Sequence, residues 1–124
     1  LFESYYPIVG LGAGSFGTWN IAGGSSIVGT TFDIADSLTA TGRVVMTGGD
    51  LFMPSCYVGL FGNGTMVVST GHVSCQGQIL LGSQSGSVGN LTAADGYIYT
   101  GILLVSEGFQ STGTLLVTVL LLPS

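Results

Sequence analysis

Cys56-Tyr57-Val58-Gly59-Leu60-Phe61-Gly62-Asn63-Gly64-Thr65-Met66-Val67-Val68-Ser69-Thr70 is the stretch on which the fold reading turns. Two short runs rich in β-branched, aromatic and aliphatic residues flank Gly62-Asn63-Gly64, and Asn-Gly readily adopts the positive φ of a tight hairpin turn. The pattern predicts antiparallel strands at 56–61 and 65–70 closed by that turn.

Working outward, helical periodicity is nearly absent. Short apolar runs bounded by Gly, Ser, Asn and Asp predict further strands at 5–11, 27–34, 38–46, 78–81, 97–107 and 114–122. Leu38, Ala40, Val44 and Met46 alternate with Thr39, Thr41, Arg43 and Thr47, the signature of a strand with one wet face. The runs 97–105 and 115–122 are joined by a polar segment with Gly108 and Gly113, which predicts a second, longer hairpin. Seven or eight such strands fit an antiparallel β-sandwich, and no repeat long enough for a propeller or solenoid stands out. The expected organisation is an amino-terminal segment and Gly-rich linker over 1–24, followed by a sandwich over 25–124.

Charge excludes several functions. The 124 residues contain one basic side chain, Arg43, against six acids, a formal net charge of -5. Nucleic acids and anionic membranes need clustered positive charge and are poor partners. Gly12, Gly14 and Gly17 match the G-x-G-x-x-G spacing of phosphate-binding loops. There is no lysine to pair phosphates, however, and Asn20-Ile21-Ala22-Gly23-Gly24-Ser25-Ser26 is too rich in turn formers to start a helix. The match reads as a flexible connector, and neither nucleotide nor any other cofactor is expected. The apolar run 115–122 is too short to cross a bilayer as a helix, so the chain is not expected to span a membrane. Residues 1–7 lack the basic and long apolar regions of a signal peptide, as in a chain already processed or never exported.

Cys56 and Cys75 predict a disulfide tying the first hairpin to the next segment, worth about 3 kcal/mol in restricted unfolded chain. Asn63-Gly64-Thr65 and Asn90-Leu91-Thr92 are N-glycosylation sequons in expected turns, and covalent glycans would keep a surface this poor in charge soluble. Catalytic material is thin. His72 is the lone imidazole, and no nucleophile elbow surrounds Ser55, Ser69 or Ser74 to form a triad with Asp50 or Asp95. Asp33 and Asp36 lack calcium-loop spacing, so no metal is expected. Trp19 and Tyr5-Tyr6 could stack on sugars, although packing is their ordinary use. The sequence predicts no enzyme.

The layout resembles that of extracellular filament subunits assembled by donor-strand complementation: chaperone-usher pilins and, through its Gly, Ser and Thr richness and scarcity of charge, archaeal bundling-pilus and thread subunits. The resemblance lies in Tyr5-Tyr6-Pro7-Ile8-Val9-Gly10-Leu11 followed by the Gly12 to Gly17 connector. It implies an Ig-like or pilin-like sandwich left incomplete and filled by the next copy. Tyr5, Tyr6, Ile8, Val9 and Leu11 would be the donor side chains. Leu115, Val117, Val119 and Leu121 form an alternative donor at the other end. The implied protein is a glycosylated, head-to-tail homopolymer on the cell surface. A carbohydrate-binding sandwich and a viral jelly-roll shell protein are the competing readings.

Overall fold

The computed structural model describes residues 2–4, 6–106 and 110–117. They form twelve strands: β1 (Phe2–Ser4), β2 (Ile8–Val9), β3 (Phe16–Ile21), β4 (Ser25–Val28), β5 (Thr31–Ile34), β6 (Thr41–Met46), β7 (Asp50–Val58), β8 (Asn63–Val68), β9 (His72–Leu81), β10 (Val88–Ala93), β11 (Tyr97–Val105) and β12 (Thr112–Val117). The all-β expectation holds. The antiparallel sandwich does not, because every pairing is parallel. The chain winds into a two-sheet β-solenoid in which each rung lies in register on the one before.

One sheet stacks β3, β6, β8, β10 and β12 in that order, and the other holds β1, β2, β4, β5, β7, β9 and β11. A rung consists of a six-residue strand in the first sheet, a three-residue turn, a long strand in the second sheet, a corner and a return loop. Four spacings of about 4.8 Å put β3 and β12 roughly 19 Å apart along the axis.

Neither expected hairpin exists. Asn63 opens β8 and Gly64 lies inside it, between Gly42 of β6 and Gly89 of β10. Likewise β11 pairs with β9 in one sheet while β12 pairs with β10 in the other. The reason lies in the second residue of each first-sheet strand, where Gly17, Gly42, Gly64, Gly89 and Gly113 stand in one column. Here the two sheets converge backbone to backbone. A Cβ on Gly89 would stand 2.0 Å from the Val58 carbonyl oxygen, and one on Gly64 2.3 Å from the Gly59 nitrogen. Glycine is required for closeness, not for turning.

The facing corner is a second column, Gly10, Ala35, Gly59, Gly82 and Ser106, all at positive φ. Its amides climb the axis: Gly59 donates to the Ile34 carbonyl at 2.9 Å, Gly82 to Val58 at 3.0 Å and Ser106 to Leu81 at 2.7 Å. Turns and corners therefore stack as the strands do, and their backbone groups are satisfied from rung to rung.

The interior is a set of axial apolar columns. Trp19, Val44, Met66, Leu91 and Leu115 align in one sheet, and Phe32, Cys56, Ile79 and Leu103 in the other. Val44, Met66, Phe32, Cys56 and Ile79 are fully buried. Pro54, within β7, sits where the register with β9 shifts between Met53 and Ser55, so its missing N–H falls at a bulge.

The amino-terminal residues expected to leave the body belong to it. β1 pairs with β4, β2 with β5, and β3 runs through what was read as linker.

Candidate functional site

Rungs satisfy one another, so the functional question is what happens where a rung lacks a neighbour. Among the described residues β12 is bonded only to β10, β11 only to β9, and β3 only to β6. Sheet edges of this kind offer backbone N–H and C=O groups that can recruit another strand. The carboxyl-terminal edge also leaves side chains uncovered. Leu115 is 39% exposed, whereas Met66 and Leu91 in its column are 0% and 2%. Ile98 and Leu103 are only partly buried, and with Ile79, Leu91 and Leu115 they line an apolar hollow of about 300 Å³. Tyr97, which also lines it, is exposed, as are Tyr99 and Ile102 of β11 and Leu116 of β12.

The two ends are stepped in opposite senses. At the amino end the second sheet, through β1 and β2, reaches one level beyond β3. At the carboxyl end the first sheet, through β12, reaches one level beyond β11.

The residues proposed as donors are placed differently from expectation. Ile8 and Val9 pair within their own chain as β2, Leu11 is exposed, and Leu115 and Val117 belong to β12 on its own β10. Tyr5, Val119 and Leu121 lie outside the described residues. Filling of a sandwich groove by a donor strand is thereby overturned, since there is no sandwich groove to fill.

Cys56 and Cys75 are buried free thiols. The single S–H of Cys75 has two carbonyl acceptors within reach, Pro54 at 3.4 Å and Gln78 at 3.2 Å. Burial pushes both thiols up, Cys56 the further. Asn63 is exposed at the start of β8, and Asn90 is half-buried in the middle of β10. Both occupy outward positions, since the glycine that follows Asn63 and the one that precedes Asn90 face the interior.

His72 Nδ1 lies 3.2 Å from Asp50 Oδ1 on the outer surface, with the Tyr97 ring edge-on at 5.8 Å, and no serine joins the pair. Trp19 meets Phe32 edge-to-face at 5.3 Å, packing against the core instead of offering a sugar platform. No three His, Cys, Asp or Glu side chains gather among the described residues. No described helix could cross a membrane, because there is none.

No known family, curated protein or solved structure matches this chain.

Sequence reasoning missed one feature with chemical character. The Asp33 side chain, fully buried, accepts a 2.6 Å hydrogen bond from the Tyr6 hydroxyl at Oδ2, while Oδ1 has no partner. It borders an open groove of about 490 Å³ that is also lined by Thr31, Tyr57, Gln78 and Gln84. The alternation of β5 carried the only signal: Phe32 and Ile34 point inward, so Asp33 must point outward, under whatever covers it.

Proposed function

We propose that this protein is a structural subunit of an extracellular filament, built by end-to-end stacking of solenoids. The observation that carries this reading is the carboxyl-terminal rung, apolar inside and, among the described residues, unpaired along both strand edges. A second copy fits it. Its β3 extends the first sheet beyond β12, while its β1 and β2 extend the second sheet beyond β11, so the opposite steps interlock. Such a contact is heterologous and does not close, which makes a fibre. Strand addition supplies the main-chain bonds, and Ile98, Leu103 and Leu115 supply apolar burial. The scarcity of charge, the Ser- and Thr-rich surface and the outward sequons at Asn63 and Asn90 support a glycosylated, cell-surface setting.

Sedimentation and negative-stain microscopy test this. Wild-type protein should form unbranched fibres as concentration rises, and Leu115→Asp should remain monomeric with an unchanged β circular-dichroism spectrum. Wild-type protein that stays monomeric throughout overturns the proposal.

A further inference from the structure

We propose that the open groove on the outer face of the second sheet binds an alkylammonium group, seated on the buried carboxyl of Asp33 among the rings of Tyr6, Tyr57 and Phe61. The site lies on the side of the solenoid, away from its ends, and does not depend on filament formation.

Stacking builds the groove. Thr31 of β5 and Gln78 of β9 come from one outward column, and Asp33, Tyr57 and Leu80 stand in register in the next. The return loops after β7 and β9 form a wall through Phe61 and Gln84. Bonds between levels fix those loops: Phe61 N–H donates to the Ala35 carbonyl at 3.2 Å, Ser83 to Gly59 at 3.0 Å and Gln84 to Leu60 at 3.0 Å. At about 490 Å³ the groove has the size of a small-molecule cleft, and it is preformed.

Asp33 supplies the attraction. It is fully buried, Tyr6 donates to Oδ2 at 2.6 Å, and Oδ1 has no hydrogen-bond partner. Burial foremost raises its carboxyl from 3.8 to about 6, against the lowering effect of the Tyr6 bond, and Asp36 raises it further by sharing a proton with it. Above that pH the shared proton is lost, and a buried carboxylate calls for a cation.

The chain provides none there. Tyr6, Asp36, Tyr57 and Cys56 are the titratable groups around Asp33. Arg43 stands in an outward column of the other sheet, and His72 faces Asp50 at the opposite end of β9 from Leu80. A neutral sugar would satisfy the open oxygen and leave the charge; an ammonium answers both. Tyr6, Tyr57 and Phe61 bring three aromatic rings to the same groove, and cations are drawn to such rings. The side chains of Thr31, Gln78 and Gln84 make no hydrogen bond among the described residues, which leaves acceptor oxygens for the remaining ammonium protons.

Amide NMR of the folded protein at about pH 8 tests this, with titration by butylammonium chloride or by its uncharged analogue n-butanol at constant ionic strength. Butylammonium should shift the amides of Asp33, Tyr57 and Gln84 saturably, at concentrations on the order of millimolar. Butanol should bind at least about tenfold more weakly. Asp33→Asn keeps the shape and an acceptor for Tyr6 without the charge, and should weaken butylammonium about tenfold or more. The absence of saturable shifts with butylammonium overturns the proposal, as does equal binding of butanol or unchanged affinity in folded Asp33→Asn. The comparison of the two probes uses the wild-type chain and stands whether or not the variant folds.

Discussion

The interior rungs and the last rung have the same backbone and opposite surroundings. Leu51 and Val73 of β7 and β9 are 0% and 1% exposed, while Ile98, their partner in register on β11, is only partly buried. The residue types scarcely differ; what differs is whether, among the described residues, another rung lies on top. In a solenoid each unit is completed by its neighbour, so stability rises toward the middle and reactivity toward the ends.

That contrast can be broken most severely inside the glycine column. Gly89→Val places a side chain against the Val58 carbonyl oxygen and the Gly82 nitrogen, both backbone. It should cost about 4 kcal/mol or more, or prevent folding. Gly12→Ala meets nothing within 4 Å and should shift stability by less than about 0.5 kcal/mol. Urea unfolding compares the two, and equal effects would deny the close approach of the sheets.

A milder pair sharpens the same contrast through side chains. Leu81 is fully buried between rungs and Leu115 lies at the open end. Leu81→Ala should cost about 3 kcal/mol in the single chain. Leu115→Ala should cost less there, about 2 kcal/mol or under, since 39% of its surface is still open.

How much of this was legible differs between the strands and their pairing. The apolar runs, the near absence of helix and the one-wet-face alternation around Val44 and Met46 followed from side-chain period alone, which is local. Pairing direction did not, because it was inferred from Asn63-Gly64, a signal shared by two structures. Asn-Gly suits a hairpin turn, but x-Gly-x-apolar-x-apolar is also the unit FGTWNI, TGRVVM, NGTMVV, VGNLTA, TGTLLV that recurs through the chain. Unequal spacing hid that recurrence. The return loop between β7 and β8 is two residues shorter than the others, and the bulges around Pro54 and Gly101 add or remove one more. Gly17 belongs to this column too, although the sequence reads it as part of a flexible connector. The buried carboxyl of Asp33 was not legible, because its cover, Tyr6, is 27 residues away and reaches it only once the rungs are stacked.

The most direct test of the account uses Thr18 and Thr114, which share an outward column of the first sheet with Arg43, Thr65 and Asn90. Within one chain they lie about 19 Å apart, four rung spacings, too far for a disulfide. Across the proposed junction, Thr114 of one copy lies next to Thr18 of another. Oxidation of the doubly substituted T18C/T114C protein should give a ladder of dimers, trimers and longer species on a non-reducing gel. A single monomer band, cross-linked within itself or not at all, would contradict the stacked-rung assembly.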